Sequence, residues 1–385
     1  MPRTPLFLAL EIDGDGAHPA AWRAADHPPA DLLSPDRTAE LVHRAERDGF
    51  HAVTIADSVL PPAASPGITA RLDAVLRAAF AAPITSTIGL VPVVNAPWNE
   101  PFHLSAQISS LDHASLGRGG WLVAAEADAE SSAVYGRDAV PDAFARHEET
   151  EDVVRAASLL WDSWEDGAAI RDADSGRYLD GAKVHPIRFE GRSFTVRGPA
   201  ITPRPPQGRP PIFARPDEAP HDLIDVAVIG APDRAALERS AAELRTGGIP
   251  RVIAEIEVAL DARGRSARDR VRELDELARA DGLPAWEAEG AAPRSDRAPL
   301  RFLGHPEELA NLLDSLRGVV DGVRLFPAVV DTDAEELGRA VLPALRSRGI
   351  ADAPVFGSTL RETLRLPRPE SRFATAHTTS KAGAR

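Results

Sequence analysis

Short apolar runs alternate with amphipathic segments along most of this chain, and that alternation limits the fold more than any other feature. Residues 6–12 (LFLALEI), 50–56 (FHAVTIA), 88–94 (IGLVPVV) and 119–125 (GGWLVAA) are short, mostly apolar and bounded by turn residues, so they read as buried strands. Between them, residues 35–49 carry apolar positions at helical spacing, with Gly49 just past the end. Residues 72–82 and 102–110 read as helices, and 142–164 contains a long helix that ends in the WDSW block. Strands and helices that alternate in this way imply parallel strands joined by crossover helices. Four such units are complete by residue 164, half of an eight-unit barrel; a two-sided open sheet is the competing arrangement.

Residues 165–210 break the rhythm. They contain two β-prone runs around Glu190-Gly191, which predict a hairpin inside a long insertion, and a proline-rich stretch, 199–211, expected to be extended or irregular. The pattern then resumes with strands at 224–229 (IDVAVI), 252–260 (VIAEIEVAL) and 322–326 (GVRLF). Helices are expected at 234–245, near 306–316 and at 333–348, with Phe302-Leu303-Gly304 opening the second of these. Residues 261–300 are polar and charged, with one helical stretch, and the tail beyond Phe373 is expected to be disordered. Length alone suggests two domains, but an α/β barrel with insertions accounts for residues 1–373 as one.

The chain of 385 residues has no cysteine, which excludes disulfides, thiolate catalysis, iron–sulfur clusters and cysteine-ligated zinc. A hydrophobic fraction of 43% is enough for a large core. The formal net charge of -14 argues against nucleic acid or an anionic membrane surface as partner, although charge of this kind commonly serves solubility alone. No run of ~18 apolar residues marks a membrane span. The first ten residues, with a single charged side chain at Arg3, are too short for a secretory signal, so a cytoplasmic location is expected.

Several blocks, in order, carry a family resemblance: HPAAWR (18–23), AERDGFHAVTIAD (45–57), NEPFHL (99–104), SLDHASLGRGGW (110–121) and LWDSW (160–164). KVHPIRFEGRSFTVRGP (183–199), PQGRPPI (206–212), GVRLFPAV (322–329) and GSTLRETLRLPRP (357–369) complete the set. Together they resemble the bacterial luciferase-like, flavin-dependent monooxygenases, in the branch of the nitrilotriacetate, dibenzothiophene-sulfone and long-chain alkane enzymes. The resemblance runs from residue 6 to about 373 and is weakest over 213–300, which looks shortened. It implies a (β/α)₈ TIM barrel with insertions and a homodimer. It also implies reduced FMN supplied by a separate flavin reductase, with O₂ activated to oxidise a small organic substrate. Fold alone does not establish that function.

Catalytic and ligand groups of a barrel sit at the C-terminal ends of its strands. Here those ends are 11–18, 57–58, 93–95, 124–126, 214–218 and 326. Ala56 and Asp57 match the family's Ala-Asp pair near the flavin ring; as a bare loop carboxylate, Asp57 could equally cap the next helix. His18 and Trp22 match a block lining the substrate mouth, where a neutral histidine could orient the substrate; a structural role for His18 competes. The third strand departs from the family's Thr-Ala-Ser-Thr-Thr-Tyr, with Asn95 in place of the serine and Trp98 in place of the tyrosine. At the fourth, the family's flavin-binding Asn is Leu122, its Thr is Ala125 and its Ser is Glu126. At the phosphate end, Gln-Ala-Gly and its small residues give way to Ala214-Arg215-Pro216-Asp217-Glu218. Pro216 removes an amide donor and two carboxylates repel an anion, which Arg215 offsets in part. Arg146 keeps the family's arginine, and His147 replaces its tyrosine.

Three functions stay open on this reading. One is a flavin-dependent oxidoreductase with an altered site, using FMN or a deazaflavin. Another is a degenerate barrel paralogue without flavin, acting as a binding or assembly partner. A hydrolase reusing Asp57, Glu126 and His18 is the third, with no nucleophile-elbow or metal motif behind it.

Overall fold

The computed structural model describes residues 4–60, 70–126, 128–138, 143–286 and 297–373. Strands β1 (Phe7–Glu11), β2 (Ala52–Ile55), β3 (Gly89–Asn95) and β4 (Trp121–Ala124) open the chain. Two short antiparallel pairs follow, β5 (Ala169–Asp172) with β6 (Arg177–Leu179) and β7 (Phe189–Glu190) with β8 (Thr195–Val196). After them come β9 (Ile212–Ala214), β10 (Val226–Ile229), β11 (Arg251–Leu260), β12 (Leu300–Gly304) and β13 (Gly322–Pro327). The helices are α1 (Pro35–Asp48), α2 (Ala74–Ala81), α3 (Pro101–Ala114), α4 (Ala129–Val134) and α5 (Ala143–Trp161). Then follow α6 (Arg234–Thr246), α7 (Ala267–Ala280), α8 (Pro306–Leu316), α9 (Leu342–Ser347) and α10 (Leu360–Thr363).

In the order β1-β2-β3-β4-β9-β10-β11-β13 each strand is parallel to the next, and β13 pairs back onto β1. The sheet is therefore a closed eight-stranded α/β barrel and not an open two-sided sheet. Closure leaves none of these strands with a free edge. Strand β11 is ten residues long and only its first four meet β10, so its upper half needs another partner. Residues 300–304 supply it as β12, although the sequence reading placed Phe302-Leu303-Gly304 at a helix start. The expected hairpin around Glu190-Gly191 is β7–β8, while β5–β6 was not foreseen. The helix expected at 333–348 opens with two wide π-type turns, Val330–Ala334 and Leu337–Val341, before α9. The tail beyond residue 373 lies outside the described residues.

Local chemistry sets the helix ends. In α1 the Ser34 hydroxyl accepts from the Asp36 amide and Pro35 takes the first position, where no amide partner is lost. The helix stops at Gly49, whose φ of +85° is a left-handed conformation that glycine adopts without strain. Its buried stripe, Leu41, Val42 and Ala45, packs on the barrel wall.

Alternation along each strand fills the lumen. Phe7, Ala9, Ala52, Val91, Val93, Leu122, Phe213, Val226, Val228 and Ile253 form one apolar cluster. Helix α10 plugs its lower end with Leu360, which lies so close to Gly120 that a Cβ there would meet it at 2.9 Å. Losing a buried leucine of this kind costs about 2–5 kcal/mol.

Candidate active site

One step further up each strand, the lumen turns from apolar to ionic. Glu11, Thr54, Glu255 and Arg324 continue the inward-facing positions of β1, β2, β11 and β13, and all four are buried. The Arg324 guanidinium donates to Glu255 Oε1 at 2.8 Å, to Thr54 Oγ1 at 2.9 Å and to Glu11 Oε2. Thr54 donates in turn to Glu11 at 2.7 Å, and the amides of Asp13 and Ala56 close on the other Glu11 oxygen at 2.9 Å. Arg215, at the end of β9, reaches Glu255 Oε2 at 2.5 Å. Two cations and two carboxylates thus neutralise one another in a water-poor layer, where any one left alone would be costly.

Above this layer opens a cavity of about 760 Å³ at the C-terminal mouth of the barrel. Its apolar wall is Ala56, Val93, Leu122, Ala124 and Val228; its floor includes Glu255 and Arg324; its rim carries Glu126, Arg146, His147, Arg215, Asp217 and Glu218. The structure therefore brings together Ala56, Leu122, Glu126, Arg146, His147 and Arg215, six of the residues singled out in the sequence. Asn95 sits just outside, donating to the Glu126 carbonyl at 2.9 Å, and its side-chain carbonyl oxygen is buried with no partner among the described residues. Glu126 accepts from the Ser58 hydroxyl at 2.8 Å, which ties the β2 and β4 ends together.

Asp57 braces the start of the next helix, whose N-cap is Asp73. Its carboxylate accepts from the amides of Ser58 at 2.8 Å and Ala74 at 2.9 Å, the latter at the start of α2. Burial still pushes its pKa above the ordinary carboxylate value, against those two bonds. His18 and Trp22 line a second cavity, of about 330 Å³, with Asp13, Arg71 and Arg77. The Ala20 amide donates to His18 Nδ1 at 3.1 Å, so Nε2 carries the hydrogen that reaches Asp275 at 3.0 Å. Burial lowers the His18 pKa in spite of Asp275, and the neutral ring packs on Trp286 with centroids 5.2 Å apart. Trp22 Nε1 is buried with no hydrogen-bond partner among the described residues.

The rim carries the charge. His147 Nδ1 bonds the Asp217 carbonyl at 3.0 Å, and Asp217 itself is held by Arg297. The Glu218 side chain, on the turn after β9, has no hydrogen bond or ion pair among the described residues, and burial raises its pKa to about 7. The Arg146 guanidinium likewise has no such partner among the described residues. Among the described residues no group of three His, Asp or Glu side chains could hold a metal ion.

Residues 16–318 match the family model for luciferase-like monooxygenases, and the chain belongs to that family. It is 26% identical to N-acetyl-S-(2-succino)cysteine monooxygenase of Bacillus subtilis (strain 168), covering 95% of this chain and 98% of that one. It is 27% identical to nitrilotriacetate monooxygenase component A of Aminobacter aminovorans, with 93% and 96% covered. Both alignments, 431 and 434 residues long, exceed this chain's length, so these relatives carry residues with no counterpart here. Among solved structures, a riboflavin lyase with modified FMN and riboflavin superposes with a TM-score of 0.79 at 24% identity, covering 96% of this chain and 98% of that one. That likeness concerns the fold.

A reduced flavin mononucleotide needs an apolar slot for its ring and a cation for its phosphate. The mouth offers both: the strip from Ala56 to Val228, and Arg146, a guanidinium at the rim that no described residue neutralises. The acidic turn Asp217-Glu218 opposes an anion, but Asp217 is already paired and Glu218 sits at the boundary of ionisation. The residues present fit the group.

The sequence reading placed Glu11 at a strand end without giving it a role, and missed Thr54, Glu255 and Arg324. The signal was present, since a charge inside LFLALEI, VIAEIEVAL or GVRLF has to be paired if the strand is buried.

Proposed function

We propose that this protein is a flavin-dependent oxidoreductase of the two-component monooxygenase type, taking reduced FMN from a separate reductase and oxidising a small organic substrate with O₂. The observation that carries this is the 760 Å³ mouth, with an apolar wall on one side and the uncommitted Arg146 on its rim. Bound there, the reduced flavin would supply the electrons that activate O₂. The chain's own residues do the rest. Ala56, Val93, Leu122, Ala124 and Val228 exclude water from one wall of the pocket. Arg146 and Arg215 receive the anionic end, and the Arg324 lattice gives a rigid floor. Asn95 offers an unused carbonyl oxygen beside the β3 end. His18, fixed in one tautomer by Ala20 and Asp275, positions the loop after β1 that walls the second cavity, and Trp22 offers that cavity an indole donor.

Helix α2 and its flanks expose Leu72, Leu76, Phe80 and Ile84 at four-residue spacing, an apolar stripe that supports the homodimer. No helix among the described residues is long and apolar enough to cross a membrane. A second function, a barrel that has lost flavin and serves as an assembly partner, is favoured by one observation, the Pro216-Asp217-Glu218 turn where an anion would dock.

Anaerobic titration with reduced FMN, followed by calorimetry, separates the two. Micromolar binding supports the oxidoreductase. Absence of binding at millimolar FMN, with the barrel folded by circular dichroism, refutes the FMN reading, and a deazaflavin titration then tells a changed cofactor from a lost one.

A further inference from the structure

We propose that the second cavity, beside the loop after β1, holds the carboxylate of a small organic acid on Arg71, which makes the substrate of this protein an organic acid. Three arginines, Arg37, Arg71 and Arg77, and two carboxylates, Asp13 and Asp15, line this cavity of about 330 Å³. Most of these groups are already engaged. Arg37 donates to Glu40 at 3.0 Å and to Asp331 at 2.5 Å. Asp15 faces His27 Nε2 at 2.9 Å, and His18 is occupied by the Ala20 amide and Asp275. Asp13 gives one oxygen to each of two cations: Arg77 Nη1 meets Oδ1 at 2.6 Å, and Arg71 Nε meets Oδ2 at 3.0 Å. One carboxylate therefore serves two guanidinium groups, and one positive charge is left over.

The excess lies on Arg71. Of the two, Arg77 is the more buried, and it also donates to Thr38 at 3.4 Å. Arg71 engages Asp13 through Nε, while its Nη1–Nη2 edge makes no hydrogen bond among the described residues. That edge is a planar pair of donors, the shape that receives a carboxylate through two parallel bonds. An amine would meet like charge here, and a neutral ligand would leave the fork unmatched. Leu32, Leu41, Leu283 and Pro284 give the same cavity an apolar side for the carbon skeleton of an acid. Its volume is near the lower end of the usual range for ligand pockets, about 300–1,000 Å³, so the acid is small. The cavity also adjoins the barrel mouth. Asp13 lines the one and Ala56 the other, and the amides of both donate to the same oxygen, Glu11 Oε1, at 2.9 Å. An acid seated on Arg71 is thereby held beside the pocket assigned above to the flavin.

Calling the acid a substrate rests on the flavin reading; its binding does not, and the experiment keeps the two apart. Calorimetric titration of the full-length, flavin-free protein would compare pentanoate, succinate and benzoate, each with its neutral amide at matched ionic strength. At least one acid should bind about tenfold or more tightly than its amide, a difference that hydrogen bonds to a charged group support. Arg71→Met should erase that preference. Asp13 keeps Arg77 in this variant, so the barrel should still fold. Arg71→Lys, which retains the charge without the fork, should recover only part of the preference. Equal binding of acid and amide, no binding of any of the three acids at tens of millimolar, or a preference that survives Arg71→Met overturns the proposal. A preference that survives Arg71→Met and is lost in Arg146→Ala would place the acid at the mouth instead. An acid preference erased by Arg71→Met in a protein that takes up no FMN keeps this site and removes the flavin reading. FMN binding without any acid preference does the reverse.

Discussion

Replacing Arg324 by methionine tests the ionic layer on which the cavity rests. The side chain bridges Glu11, Thr54 and Glu255, and the two carboxylates are 7% and 1% exposed, so removing the cation strands charge where water does not reach. Breaking a buried ion pair by deleting one partner typically costs about 3–5 kcal/mol, most of it the burden of the partner left behind. Unfolding entropy of roughly 2 cal/mol/K per residue, applied to 385 residues, makes each kcal/mol worth a little over 1 °C in Tm. Arg324→Met should therefore lower Tm by about 4–6 °C in calorimetry at pH 7. Arg215 keeps its bond to Glu255, so Glu11 bears most of the loss, and adding Glu11→Gln should recover about 1 kcal/mol or more. A loss below about 1 kcal/mol in Arg324→Met would refute the reasoning, because it would mean that water or protons already compensate the carboxylates.

His51 sets an acid limit. Its Nδ1 accepts from the buried Leu8 amide at 3.0 Å, and burial lowers its pKa to about 4. The unfolded chain takes up this proton near pH 6.5 and the folded one only near 4, so its share of stability is complete above pH 6.5 and declines as pH falls to 4. The loss amounts to roughly 3 kcal/mol; urea titrations from pH 7 to 4 should show it, with a shallower decline in His51→Gln, and equal slopes would contradict the assignment. Leu76, 65% exposed in the centre of the α2 stripe, is the place to test association. Leu76→Glu should convert a dimer to monomer in sedimentation velocity with the fold intact, and an unaltered dimer would remove α2 from the interface.

The strands and helices that build the barrel were legible because each leaves a periodic trace. The run LFLALEI and the stripe of Leu41, Val42 and Ala45 announce their partners' existence without naming them. Strand β12 left no such trace: its reason to exist is the unpaired upper half of β11, a fact of tertiary register. The π-type turns after β13 are of the same kind. There Asp333 is fully buried, takes the amides of Leu260 and Val329 and meets Arg270 at 2.6 Å, contacts that no local pattern announces.

For the site, the sequence by itself determined which residue types stand at the strand ends: the losses at Leu122 and Ala125, the gain of Glu126, the acidic turn. Strand periodicity was enough for that, since it places chain positions at the mouth of a barrel whatever their chemistry. Which of those groups are spent and which are free was decided only by the tertiary structure. Asp57 braces the first turn of α2, which Asp73 caps, and His18 is a buried, tautomer-locked strut, whereas the Glu218 and Arg146 side chains face a cavity with no ion-pair partner among the described residues. The physical reason is that a charge takes its meaning from neighbours within a few ångströms. Here those neighbours, Glu11 with Arg324 or Arg215 with Glu255, come from strands tens to hundreds of residues apart that only barrel closure brings together.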